Sequence, residues 1–463
     1  MKRALILAAA LCASTAVSAQ TIAITGGTVA IGDGSEPIQG GTVIIRDGRV
    51  VGAGNGIAIP AGAQVVDATG RWVTPGIVAG FTRVGLAEVD AVSGSNDVQA
   101  RNSPFSAAID VAPAINPLAG PIAVSRASGV TRAVVAPAAA RSIFAGQGAV
   151  IDLGSDMEPI TKARAFQFVE FGEEGARQGG GSRAAAFVLF RNALREARDV
   201  GRYSGIPGQS SQRTRSAADQ RDFQLEEVPD SNLLGSNVER GDDALLTRFD
   251  AAALVPVLQG RQQLFVHVER ASDILRVLDL KREFPNLKLV LVGATEGWTV
   301  ADRIAAAGVP VIANALNDLP SSFEQLAATQ SNVGRMRAAG VKVSIGMLGE
   351  DETRQARLTK QLAGNLVALT KVPGATGLNW GDAFAAITSG PAEIVGLGGE
   401  IGSLRAGRRA DVVMWDGDPL ELSSAPVLVM IDGVQQPLEN RQTKLRDRYR
   451  TAVEGELPKA YER

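Results

Sequence analysis

The chain has 463 residues, of which 45% are hydrophobic, 21% charged and 5% aromatic. Its 47 basic residues stand against 49 acidic ones, so no positive excess exists to neutralise a phosphate backbone, and nucleic acid is not an expected partner. One His and one Cys in the whole chain exclude a zinc finger, a disulfide framework and a His-rich metal centre.

Lys2 and Arg3 precede an apolar run from Ala4 to Ala16, and Val17-Ser18-Ala19 forms a small-residue cleavage site before Gln20. Residues 1–19 therefore read as a secretory signal peptide, too short to span a membrane. Leu11 is too bulky before Cys12 for lipoprotein processing. Without Lys2 and Arg3 the count is 45 basic against 49 acidic residues. A Cys-free exported chain with no second apolar span predicts a periplasmic protein without a membrane span.

From Thr21 onward, short strands are broken by Gly, with Asp47-Gly48 placed as a hairpin turn between Gly41–Arg46 and Arg49–Ala53. Near the other end Ala410–Trp415 and Val427–Ile431 are strand-like, the second entering Asp432-Gly433. Neither end has enough strands for a stable sheet alone. Residues 20–72 and 403–440 are thus expected to combine into one composite β-sandwich, leaving 441–463 as a tail.

Between them, Phe265–His267, Leu287–Val292, Val309–Ala313 and Val341–Ile345 alternate with amphipathic segments such as Val300–Ala307. Repeated strand–helix units predict a parallel sheet and, at this length, a (β/α)8 TIM-like barrel over 73–402. Residues 172–241, with Gly179-Gly-Gly181 and Ser/Gln/Arg-rich sequence around one helical piece near Ala184–Asp199, read as a mobile insertion beside the barrel mouth. Gly146-Gln-Gly148 reads as a tight turn.

Thr74-Pro-Gly-Ile-Val-Ala-Gly-Phe-Thr-Arg-Val-Gly-Leu86 and the closing Gly402-Ser-Leu-Arg-Ala-Gly-Arg-Arg-Ala-Asp-Val-Val-Met-Trp415 carry a resemblance. With Phe384–Thr388 and Pro391–Ile394 they resemble the amidohydrolase superfamily, imidazolonepropionase-like branch, over almost the whole mature chain. The resemblance implies a barrel that uses a divalent metal, zinc in the family, to activate water at the carboxy-terminal mouth, with an Asp as general base. It implies a His-x-His pair on the first barrel strand, two further His at later strand ends and an Asp on the last. A carboxylated Lys or a Glu bridges the metals in binuclear members.

Aligned on Thr74-Pro75-Gly76, the His-x-His pair falls on Phe81 and Arg83. The next ligand position is kept as His267. Gly293 stands at the following one, and Met347 or Leu348 near that of the general-base Asp. Lys288 and Lys342 lie at strand starts, the wrong end for a bridging Lys. One imidazole cannot hold a catalytic zinc, and Arg83 repels a divalent ion. Glu88, Asp90, Glu269, Glu296, Glu350 and Asp351 follow strand ends; they could bind Mg²⁺ or Ca²⁺, but read first as solvated charges or partners of Arg83.

The expected protein is therefore an amidohydrolase-fold chain with a degenerate metal site and no cofactor, impaired in catalysis. It acts as a small-molecule-binding subunit or beside an active relative. His267 is the catalytic candidate; Arg83, as an anion anchor, Phe81 and Glu296 are the substrate-binding candidates. The alternative is a hydrolase of C–N bonds with one divalent metal in an altered site.

Overall fold

A computed structural model describes residues 21–203, 244–315, 317–348 and 355–450. Residues 1–20, residues 349–354 with Glu350 and Asp351, and residues beyond Arg450 lie outside the described residues.

The first sheet uses strands from both ends of the chain. They are β1 (Thr21–Val29), β2 (Ile38–Arg46), β3 (Arg49–Gly54), β4 (Gln64–Asp67) and β5 (Trp72–Pro75). β5 then pairs antiparallel with Val412–Trp415, which leads to Pro426–Ile431 and Val434–Gln435. β4 and β5 both run parallel to β1, at different heights along it. The core is aliphatic: Ile24, Val29, Val43, Ile45, Val73, Leu404, Val412 and Met430 are buried together. Both two-residue turns anticipated from sequence form. Asp47 and Gly48 have φ of 51° and 71°, and Asp432 and Gly433 have 53° and 77°, the left-handed pair whose twist matches the flanking strands. The turns abut: a Cβ on Gly48 would lie 2.7 Å from the Asp432 carbonyl oxygen.

The second sheet is the barrel: β6 (Ile77–Thr82), β7 (Val130–Val135), β8 (Phe144–Asp152), β9 (Ile160–Glu170), β10 (Gln263–Val268), β11 (Lys288–Gly293), β12 (Val311–Ala313) and β13 (Val343–Ile345), in that order. The Met347 amide donates to the Phe81 carbonyl at 2.9 Å, bringing the last strand against the first. The TIM-like barrel with a separate sheet is as the sequence predicts, with one departure. β8 is antiparallel to both neighbours, because residues 136–143 and 153–159 are too short for parallel crossovers, which need about a dozen residues. Gly146-Gln-Gly148 is part of β8 rather than a turn; a Cβ on Gly148 would fall 2.1 Å from Phe166 Cζ.

The barrel interior is packed. Phe81, Phe166, Phe168, Phe265, Val290, Val292 and Ile312 form one buried cluster, with Phe166 and Phe265 stacked at 4.0 Å. A larger apolar layer joins the strands to the surrounding helices. Within the expected insertion, Glu173–Gln178 and Arg183–Tyr203 are helical, and Ala186, Phe190, Ala193, Leu194 and Ala197 are buried against that layer. The rest, 204–241, lies outside the described residues.

Candidate functional site

Side chains alternate along a strand with period two, so the packed interior dictates what stands above it. Two residues beyond Phe81 is Arg83; beyond Phe168, Glu170; beyond Phe265, His267; beyond Ile312, Asn314. These side chains, with Glu269, Val292, Asn317, Ser321, Gln325 and Leu348, line a cavity of about 250 Å³. It opens at the carboxy-terminal strand ends, where barrels carry their sites.

His267 is the centre of this lining. β10 pairs in register with β9, setting His267 directly beside Glu170, whose Oε1 accepts from His267 Nδ1. The other ring nitrogen, Nε2, faces Glu269 Oε1 at 3.0 Å. Glu269 Oε2 accepts from the Thr295 amide at 2.7 Å. The side chain of His267 is 26% exposed and that of Glu269 5%. Burial alone would lower the His267 pKa; the Glu170 and Glu269 carboxylates outweigh it and raise it well above 6.5. With a carboxylate at each ring nitrogen, the site favours the protonated ring. Burial likewise works to raise the Glu269 pKa, but hydrogen bonds from His267 and Thr295 hold it below 4.5.

The end of β11 is shaped to make room for this cluster. Gly293 and Ala294 have consecutive positive φ, 88° and 50°, turning the chain so that the Thr295 amide reaches Glu269. A Cβ on Gly293 would lie 2.5 Å from Glu269 Oε1. The place where a ligand side chain was anticipated is therefore taken by the Glu269 carboxylate. At the last strand, Leu348 lines the cavity, whereas Met347 is buried in the outer apolar layer.

Of the residues singled out from sequence, Arg83, Phe81, His267, Glu269 and Leu348 line the cavity; Glu269, read first as a solvated charge, is buried and pairs with His267. Glu296 is not in the cavity lining. Its carboxylate accepts the Ala271 amide at 2.9 Å and the Ala327 amide at 3.1 Å, which ties two loops together. Glu88 accepts the Gly120 amide at 2.8 Å. Sequence reasoning missed Glu170, although its position two residues after Phe168 at a strand end was a usable signal. It also passed over Asn314 and Asn317, whose amides donate to the Leu348 carbonyl at 3.2 Å and Thr295 Oγ1 at 3.0 Å. Among the described residues, no group of three or more His, Cys, Asp or Glu is arranged to hold a metal ion. Nor is any described helix long and apolar enough to cross a membrane.

Comparisons with known proteins agree with this architecture. Residues 280–443 match the amidohydrolase family profile. An amidohydrolase of Hapsidospora irregularis is 25% identical over 403 residues, covering 82% of this chain and 38% of that protein. An imidazolonepropionase of Maricaulis maris is 32% identical over 152 residues, 33% of this chain and 35% of the relative. The chain thus matches little more than a third of the length of either relative. The structure of an amidohydrolase from Thermotoga maritima superposes with a TM-score of 0.71 at 24% identity, covering 89% of this chain and 99% of that one, a likeness of fold. Motifs, barrel and relatives together place the chain in the amidohydrolase superfamily.

Proposed function

We propose that this chain is an exported amidohydrolase-fold protein that binds a small molecule at its barrel mouth and does not carry out metal-assisted hydrolysis. Its expected place is the periplasm, from the leader-like residues 1–19, and its expected partner is an active relative whose ligand or product it shares. One observation carries the reading. Both ring nitrogens of His267 face carboxylates, so the one imidazole of the chain is engaged on both sides rather than turned to a metal.

The positions at which the family holds its metal do not fit a catalytic divalent ion here, and the two carboxylates of the lining, Glu170 and Glu269, are both turned to His267. Phe81 offers no donor, Arg83 is cationic, Gly293 has neither a side chain nor room for one, and Leu348 is apolar. Three protein ligands with an open fourth position are the usual requirement for catalytic zinc. Beside these carboxylates the lining carries the His267 ring and the Arg83 guanidinium. The residues that remain can bind and orient: Arg83 an anionic group, Phe81 and Phe168 an apolar body, Asn314 and Asn317 polar atoms.

The alternative, a C–N hydrolase with an altered metal site, draws its support from the family. Elemental analysis of the purified protein from zinc-supplemented medium separates the two. The expected result is far less than one transition metal per chain and no amide hydrolysis. One bound zinc per chain, with hydrolysis that a chelator abolishes, overturns the proposal.

A further inference from the structure

A second cavity, of about 360 Å³, shares no lining residue with the barrel mouth. Small-molecule pockets span roughly 300–1,000 Å³, so it is large enough for a compact ligand. Its walls come from the loop after β6, the β7–β8 connection, Leu189 of the Arg183–Tyr203 helix and residues 245–250. Buried polar contacts tie these walls together. Asp250, near the start of the helix Arg248–Leu258, accepts the Ser106 and Ala108 amides on one oxygen at 2.8 and 2.9 Å. Its other oxygen accepts the Thr247 hydroxyl at 2.6 Å. Gln99 Nε2 donates to the Ala139 carbonyl at 2.9 Å, joining the first loop to the β7–β8 connection. The cavity is thus held open by contacts that do not need a ligand.

The lining is apolar on one side. Phe144 and Leu246 are buried in it, whereas Phe105 is 41% exposed and Leu245 49%. Phe105 meets Phe249 edge-on, with ring centroids 5.6 Å apart, an arrangement that a third ring can extend. Charge decides the rest. Among the described residues, the ionisable side chains of the lining are Asp250 and Arg141. The Asp250 carboxylate is already held by two amides and a hydroxyl. The nearby Glu196 carboxylate is likewise taken, by the Leu245 and Leu246 amides at 2.9 and 3.4 Å. Arg141 is exposed and has no hydrogen-bond or ion-pair partner among the described residues. An incoming cation therefore finds its carboxylates engaged, and an incoming anion finds an open guanidinium beside the Ser142 hydroxyl.

We propose that this cavity is a second small-molecule site, separate from the barrel mouth, that takes a compact aromatic monocarboxylate. The carboxylate lies at Arg141 and the ring against Phe105, Leu245 and Phe144. Isothermal titration of the purified full chain with 3-phenylpropionate, 3-phenylpropionamide and 3-phenylpropylamine tests this. The acid should bind at least fivefold more tightly than the amide, and the amine most weakly, with the preference for the acid shrinking as salt is raised. Arg141→Gln should weaken the acid about five- to tenfold and leave the amide unchanged. Replacing Phe105→Ser and Leu245→Ser together should weaken acid and amide alike by at least tenfold. These three side chains are exposed, so the variants should keep the wild-type thermal melt. Photolabelling with 3-(4-azidophenyl)propionate and peptide mass mapping locates the site: the label should fall within 100–109, 138–145 or 245–250. An amide that binds as tightly as the acid, an Arg141→Gln protein that keeps the wild-type preference, or a label confined to the barrel-mouth segments overturns the proposal.

Discussion

At position 293 any side chain would begin 2.5 Å from Glu269 Oε1, on backbone with a φ of +88°, so restoring a ligand there collides with the carboxylate that clamps His267. The two features are coupled: Glu269 can reach His267 Nε2 because 293 is glycine. The clamp has a consequence for stability. The folded-state pKa of His267 is raised above the value near 6.5 that it has when unfolded. Its stabilising contribution is therefore fully present below about pH 6.5 and is lost as pH rises through the higher folded value. Thermal melts of the wild type should lose stability across that alkaline window, and His267→Gln should remove this component. Because His267 is the one His of the chain, its ring NMR signals are unambiguous. A ring that titrates near 6.5 in the folded protein would contradict the clamp.

Among the elements, β7 shows how a charged residue joins two sheets. Arg132 near its start is completely buried, yet its guanidinium is surrounded by carboxylates. Nε and Nη2 donate to the two Asp411 oxygens at 2.8 and 3.0 Å, and Asp432 lies at 2.9 Å and Asp152 at 3.4 Å. Burial raises the Asp152 pKa to about 6 in spite of Arg132. Asp411 belongs to the Ala-Asp-Val motif and Asp432 to the second hairpin turn, so one barrel arginine grips two parts of the carboxy-terminal segment. Removing one partner of a buried pair costs about 3–5 kcal/mol, because the opposite charges are left uncompensated. Arg132→Met should lower unfolding free energy by about that amount. A chemical denaturation midpoint close to wild type would show that Arg132 is not the clasp.

At the scale of the whole molecule, β5 is held between β1 and Val412–Trp415, and Trp415 is completely buried with its Nε1 donating to Thr74 Oγ1 at 2.9 Å. The carboxy-terminal strands thus complete a sheet whose other half precedes the barrel. A chain ending at residue 402 loses three strands of that sheet together with Asp411 and Asp432. It should fail to give a cooperative thermal transition measured by circular dichroism. A cooperative melt within a few degrees of the full chain would mean that the barrel folds without them.

The sequence alone determined what depends on local pattern. Strand periodicity, the Asp-Gly turns and the flanking motifs specified a barrel and a sheet shared by the termini, and the count of one His bounded the metal chemistry. Arg83, Phe81 and His267 could be placed at the mouth because side-chain alternation carries a strand residue into the lumen whatever surrounds it. Other features required the tertiary structure. The antiparallel β8 depends on how short connections close, and the burial of the 183–203 helix against the barrel's outer layer on residues distant in sequence. Whether Glu296 faces a ligand or two backbone amides is set by loops distant in sequence. Above all, the pairing of Glu170, His267 and Glu269 is a contact across adjacent strands and a turned strand end. No spacing along one chain encodes that register, and it is the register that sets His267 between two carboxylates.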